Sequence, residues 1–163
     1  MRKRKSSALY LTRGAIVAAL YVVLTYISAI FGLSSGVIQF RISEALCILP
    51  VFFAEAVPGL YIGCIISNII AGANPFDIIF GSLATLIGAI GARLLRRLPE
   101  KLSWLISIPT VLANVLIVPP VLIFAYGATD AYPFIVLTVF IGEFVCATVM
   151  GYFLLLALKK MRL

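Results

Sequence analysis

The 163-residue sequence contains no histidine, only three cysteines and few charged residues. Without histidine, imidazole acid–base catalysis, imidazole metal ligation and the usual serine or cysteine triads are excluded. Cys47, Cys64 and Cys146 stand singly in apolar segments, so neither a disulfide framework nor a zinc site is predicted, and we expect buried packing residues. No G-x-x-x-x-G-K-[ST] motif is present to bind ATP. We therefore predict a protein that is not an enzyme and that holds no metal or cofactor.

Apolar residues make up 63% of the chain, and the mean hydropathy is +1.18. A soluble fold would leave too much of this surface in water, so the bilayer is the natural solvent. Crossing about 30 Å of hydrocarbon takes roughly 20 apolar residues in a helix, which satisfies its own backbone groups. The composition predicts an all-α membrane protein in which residues 1–163 form a single integral membrane domain.

The chain divides into apolar segments separated by glycine, proline and polar residues. The first segment follows the sequence M-R-K-R-K and is too long for a signal peptide, so we interpret it as a membrane helix. Residues 43–72 are too many for one upright helix and few for two, and we place a break near Pro58. The segments are 9–31, 43–56, 57–72, 76–95, 102–124 and 132–158.

The distribution of lysine and arginine predicts the topology. Basic residues on short loops favour the cytoplasmic side, and all but Arg41 fall into three groups, within 2–13, 93–101 and 159–162. Even numbers of crossings between the groups give six transmembrane helices, with both termini cytoplasmic. The loop 32–42 is expected to fold inward beside the two short helices. The net charge of +7 then belongs to the inner face and not to nucleic-acid binding.

Polar residues at membrane depth are the first candidates for function. Glu143 lies ten residues after Pro133, or about 15 Å along a helix, and therefore near the middle of the membrane. Asn114 lies ten residues before Phe124, at a matching depth, so the two side chains are predicted to line one cavity. An interhelical hydrogen bond is the alternative role for Asn114.

Three further charged residues lie near the outer ends of helices. Asp77 and Glu44 each follow a helix start, where they either stabilise the helix N-terminus or line the mouth of the cavity. Arg41 either pairs with one of these carboxylates, which we favour, or touches the ligand.

Small residues on the first helix form another candidate surface. Ala15, Ala18 and Ala19 allow a neighbouring helix to approach closely. Packing within the bundle and docking of a partner are both compatible with this pattern.

Three stretches resemble a known family. They are V-I-Q-F-R-I-S-E-A-L (37–46), P-F-D-I-I-F-G-S-L-A-T-L-I-G-A (75–89) and the G-E pair at 142–143. Together with the chain length and the predicted six-helix topology, they resemble the queuosine precursor transporters, the substrate-binding S components of energy-coupling factor transporters. The resemblance implies an S-component-like bundle that captures a micronutrient and delivers it by reorienting in the membrane.

The resemblance also implies partners and a ligand. The partners are a transmembrane coupling subunit and two ATPase subunits, and Ala15 and Ala19 match the family's A-x-x-x-A docking motif. The ligand is a deazaguanine base such as queuine or the pre-queuosine base. Its N–H donors would suit three carboxylates, an aromatic ring would stack on it, and two amides would add directional hydrogen bonds. The carboxylates are Glu143, Asp77 and Glu44. The stacking ring is Phe40, and the amides are Gln39 and Asn114.

Three other functions remain open at this point. A stand-alone secondary transporter would use Glu143 as a proton-coupled carboxylate and would need no ATPase. A scaffold would not account for polar residues at matched depth. A lipid-modifying enzyme is disfavoured because the sequence lacks histidine and any acid–nucleophile pair.

Overall fold

The computed structural model of the protein describes residues 7–33 and 39–161, and these residues form helices without any strand. The α-helices are α1 (Ser7–Ile30), α2 (Ala56–Ile70), α3 (Pro75–Leu94), α4 (Ile108–Tyr126), α5 (Tyr132–Glu143) and α6 (Gly151–Lys160). Three 3₁₀ helices span Ile42–Val51, Leu95–Arg97 and Glu100–Ser107, and a π-helix, Phe144–Met150, joins α5 to α6. The prediction of an all-helical protein is confirmed.

The described helical stretches run alternately between two ends of the bundle. One end, here called the basic end, carries every described lysine and arginine except Arg41. The opposite end, here called the loop end, contains residues 31–33 and 39–41 and the connections 71–74 and 127–131. The middle of the predicted inward loop 32–42 lies outside the described residues. Contacts fix this arrangement: Arg13 pairs with Glu55 at the basic end, and Asn74 donates to the Ala125 carbonyl at the loop end.

Four helical stretches of the described chain are long and apolar enough to cross a membrane: Ser7–Ile30, Pro75–Arg97, Glu100–Tyr126 and Tyr132–Lys160. Two shorter apolar helices, Ile42–Val51 and Ala56–Ile70, lie between the first and second of these. The predicted break near Pro58 was misplaced, because the helices separate at 52–55. Pro58 lies in the first turn of α2, where the missing N–H of proline costs no helical hydrogen bond.

Glycines set the distances between helices. A Cβ atom added to Gly59 of α2 would lie 2.6 Å from the Gly14 carbonyl oxygen of α1, so only glycine allows this contact. In the same way, a Cβ atom on Gly91 of α3 would lie 2.3 Å from the ring of Pro109 on α4. Neighbouring backbones therefore touch, as is common where small residues line helix contacts in membranes.

The 3₁₀ helix Ile42–Val51 is the buried centre of the bundle, since eight of its ten residues, Ser43 to Pro50, are buried. At its basic end Arg93 of α3 donates from Nη1 to the carbonyl oxygens of Pro50 and Val51, at 2.8 and 3.3 Å. These are carbonyls that a helix C-terminus leaves without partners of its own. Arg93 therefore caps the central helix.

We predict that Arg93→Met destabilises the protein. The substitution leaves two partly buried carbonyl groups without their charged donor, and such hydrogen bonds are worth about 2 kcal/mol. Thermal unfolding in detergent should show the loss. Arg97→Met is the control, because Arg97 is exposed on the following 3₁₀ helix and its replacement should leave the unfolding temperature unchanged. Equal unfolding temperatures for the two variants would contradict the capping role.

Candidate functional site

A stripe of polar side chains on α1 faces the central 3₁₀ helix. Tyr21 donates from its hydroxyl to Glu44 Oε1, and Thr25 donates to Ser43 Oγ at 2.8 Å. Ser28, one turn further along, accepts the first backbone N–H of the 3₁₀ helix at 3.1 Å. These bonds attach the loop end of the central helix to α1.

Glu44 is 2% exposed, and both of its carboxylate oxygens have partners. Tyr21 donates to Oε1, and the Cys47 thiol donates to Oε2 at 3.2 Å. A buried carboxylate in an apolar bundle needs such donors. The protein itself therefore satisfies Glu44.

Arg41 reaches across to α2 and α3. Its Nη2 lies 3.6 Å from Asp77 Oδ2, and its Nη1 donates to Asn68 Oδ1 at 3.5 Å. Tyr126 of α4 donates its hydroxyl to Asp77 Oδ2 at 3.1 Å. The favoured alternative for Arg41, an interior ion pair, is confirmed, and this network connects three helices at the loop end.

The N-terminus of α3 is capped by Asn74 and not by Asp77. Asn74 Oδ1 accepts the Phe76 N–H at 3.0 Å, and the Asn74 backbone N–H donates to Tyr126 Oη, also at 3.0 Å. The cap leaves the Asp77 carboxylate to Arg41 and Tyr126. The predicted capping role of Asp77 is therefore performed by Asn74.

Residues 39–41, here called the strap, cross α5 beside the predicted ligand residue Glu143. A Cβ atom on Gly142 would lie only 1.9 Å from the Gln39 carbonyl oxygen, so the strap backbone rests directly on the helix. Phe40 of the strap donates its backbone N–H to the Leu33 carbonyl at 2.6 Å. Glycine at 142 is thus required for the strap to pass.

Glu143 ends α5 immediately before the π-helix. Its Oε2 is buried and has no hydrogen-bond partner among the described residues, yet the carboxylate is close enough to Glu44 and Arg41 to interact electrostatically with both. π-Helical turns within α-helices occur frequently at functional sites. A buried carboxylate without a partner is costly in this environment unless something else satisfies it.

Asn114 lies at nearly the depth of Glu143. The two helical stretches are joined by a hydrogen bond from Ser107 to Thr148 Oγ1 at 2.9 Å. Asn114 lies seven residues from Ser107 towards the loop end, and Glu143 lies five residues from Thr148 in the same direction. They are therefore within about one helical turn of each other. The Asn114 amide donates to the Thr110 carbonyl of its own helix at 3.1 Å.

Four residues of the network were not foreseen: Tyr21, Asn68, Asn74 and Tyr126. Tyr21 begins a polar i, i+4, i+7 stripe with Thr25 and Ser28, and Asn68 is an amide inside an apolar helix, so both carry a readable signal. Asn74 precedes proline, which is typical of a helix start. Tyr126 carries no comparable signal, because interfacial tyrosines are common in membrane proteins.

A separate apolar groove, here called the α1–α2 groove, lies on the outer surface towards the basic end. Its volume is about 620 Å³, and its lining includes Gly14, Ala15, Ala18, Ala19 and Gly59. Ala15 and Ala19 are exposed, whereas Ala18 is partly covered beside Gly63 of α2. Ala18 therefore packs against α2, whereas Ala15 and Ala19 form part of an open surface.

Residues 11–160 match the sequence family described as QueT transporter. The chain belongs to the QueT transporter family. A similar curated protein is the queuosine precursor transporter QueT of Lactococcus lactis subsp. cremoris (strain MG1363), which is 38% identical over 102 residues. The match covers 62% of this chain and 60% of the relative, and no solved structure matches the chain significantly. Together with the four long apolar helices, membership of the QueT family makes this a multi-pass membrane protein.

For this QueT family member we predict that Gly142→Ala destabilises the bundle. The added methyl group would overlap the Gln39 carbonyl, and overpacking of this kind costs about 1–3 kcal/mol. Gly151→Ala is the control, since its Cβ would meet the Ala45 carbonyl at an ordinary 3.4 Å and alanine favours the helix. Thermal unfolding should separate the two variants, and similar unfolding temperatures would refute the tight strap contact.

Proposed function

We propose that this protein is the substrate-binding membrane subunit, or S component, of an energy-coupling factor importer for a queuosine precursor. Family membership supports the transporter class. The observation that carries the binding role is Glu143, whose buried Oε2 lacks a protein partner within the described chain although the carboxylates beside it are satisfied. An unsatisfied acceptor in such a cluster is suited to a ligand that brings hydrogen-bond donors.

The proposed topology has six crossings, with the basic end in the cytoplasm and a site near the middle of the membrane that is reached from outside the cell. The clustering of described lysines and arginines at one end supports this orientation. The central 3₁₀ helix and α2 are short, yet the central helix is buried among its neighbours. Such an irregular segment is tolerated at membrane depth where protein covers it.

A deazaguanine base fits the donor and acceptor pattern of the site. Its pairing edge carries adjacent N–H groups, which a carboxylate accepts as two parallel bonds. Glu143 is the proposed acceptor, and Asp77 and Glu44 would supply negative charge for a cationic aminomethyl arm. Phe40 is proposed to stack on the ring, and Gln39 and Asn114 to add hydrogen bonds.

The proposed energy source is a partner module with a transmembrane coupling subunit and two ATPase subunits. The α1–α2 groove supports a docking role, because Ala15 and Ala19 leave an open apolar surface that a partner helix can approach closely. Ala18 borders the same groove. Docking there would leave the loop end free for ligand.

We predict that Glu143→Gln abolishes binding of the ligand. Replacing the carboxylate puts an N–H group where an acceptor is needed, and losing one member of a buried charged contact costs about 100-fold or more in affinity. Isothermal titration of the purified protein with 7-deazaguanine measures the change. Glu100→Gln, at an exposed position of the basic end, is the control and should bind like wild type. Wild-type affinity in Glu143→Gln would remove Glu143 from the site.

We also predict that the double substitution Ala15→Leu and Ala19→Leu abolishes uptake while leaving ligand binding intact. The two leucines fill the groove without touching the loop end. Uptake into proteoliposomes that contain the coupling module and ATP is the measurement. Ala157→Leu, also at an exposed position but on α6, is the control and should transport normally.

Two results would argue against the coupled mechanism. Full uptake by the double variant would place docking elsewhere. Uptake by this chain alone, without ATP and driven by a proton gradient, would favour the stand-alone proton-coupled transporter instead.

A further inference from the structure

Within the described residues, the polar cluster at the loop end contains a buried donor and a buried acceptor that both lack partners. Arg41 uses Nη1 for Asn68 and Nη2 for Asp77, but its buried Nε has no partner among the described residues. Within the same described part of the chain, Glu143 Oε2 is likewise buried without a partner. Buried donors and acceptors are nearly always satisfied in proteins, so this combination requires an explanation.

The two side chains belong to segments that touch. The carbonyl of Gln39, two residues before Arg41, rests on Gly142, the neighbour of Glu143. The side chain of Arg41 is 12% exposed, and its terminal nitrogens are held by Asp77 and Asn68, which leaves the guanidinium little freedom to turn away.

We propose that Arg41 determines ligand specificity by donating from Nε to a ring carbonyl, while Glu143 accepts the ring N–H beside that carbonyl. The inference rests on the proposed function and deepens it by assigning the two halves of one ligand edge. The ligand class is a planar lactam ring in which C=O and N–H are adjacent, as on the pairing edge of a deazaguanine. Arg41 would thus have two roles. Its terminal nitrogens contact Asn68 and Asp77, and its Nε donates a hydrogen bond to the ligand.

This assignment makes a carbonyl necessary for tight binding. A ring that lacks a good acceptor at that position would bury Arg41 Nε without a partner, and sites built to hydrogen-bond a substrate group reject analogues that lack it. The ring N–H and the amino group would still be recognised by Glu143. The proposal therefore assigns discrimination at the carbonyl to Arg41.

The test compares two ligands on two proteins by isothermal titration. The ligands are 7-deazaguanine and its 6-thio counterpart, which keeps the ring N–H and the amino group but replaces the carbonyl with a weak acceptor. Wild type should bind the oxo ligand about tenfold more tightly, the value of one hydrogen bond. In Arg41→Lys the positive charge opposite Asp77 remains but the Nε donor is lost, so the ratio should fall to about one. Arg13→Lys, at the basic end, is the control and should keep the tenfold ratio.

The outcomes separate this inference from the proposed function. A tenfold ratio that persists in Arg41→Lys, or equal affinities in wild type, would overturn the role of Arg41 and leave the transport proposal standing. If wild type binds neither ligand, the proposed function fails and the assignment of Arg41 fails with it. If Arg41→Lys cannot be isolated folded, the wild-type ratio decides, because equal affinities refute the assignment and a tenfold preference supports it.

Discussion

The need to satisfy charged groups inside an apolar bundle governs this structure. Hydrocarbon offers no hydrogen bonds, so each buried charge requires a partner from the protein or from a ligand. Asp77 obtains Arg41 and Tyr126, and Glu44 obtains Tyr21 and Cys47. These bonds join α1 to the central 3₁₀ helix and Arg41 to α3 and α4, and the Arg41–Asn68 bond adds α2 to the cluster at the loop end. Most side chains of the polar cluster therefore have a structural role. The exceptions are Arg41 Nε and Glu143 Oε2, which are buried without a partner among the described residues and therefore point to a ligand.

The central 3₁₀ helix resolves a problem of length. Residues 43–72 contain too few positions for two full α-helical crossings, but a 3₁₀ helix rises about 2.0 Å per residue against 1.5 Å in an α-helix. Ten residues thus reach about 20 Å instead of 15 Å. The poorer geometry of 3₁₀ hydrogen bonds is offset by attachments at both ends, to Ser28 and Thr25 at the loop end and to Arg93 at the basic end. The central helix is thereby held with its N-cap residue Arg41 and its first-turn residue Glu44 at the loop end.

Helix positions and the polar candidates were largely predictable, because apolar length and charge distribution leave few alternatives for a chain of this composition. Glu143 stood out for the same reason, as a carboxylate far from either end of the predicted apolar segment 132–158. The pairings were not predictable, since a side chain such as Arg41 has several carboxylates within reach and the sequence does not state their distances. The 3₁₀ and π-helical stretches were also missed, because neither has a distinct hydrophobic period. Gly142 illustrates the limit, since its importance arises from a strap that comes from more than 100 residues earlier in the chain.

The site and the α1–α2 groove lie at opposite ends of one continuous stretch of chain. The central helix presents Glu44 near its loop end and leads at its basic end into residues 52–55. Glu55 then pairs with Arg13 at 3.2 Å, and its carbonyl contacts Gly14, which lines the groove. The central helix is therefore connected to the groove through the Arg13–Glu55 pair and the Gly14 contact. At Gly59 the backbones of α1 and α2 touch, so no side chain separates the two helices at this point.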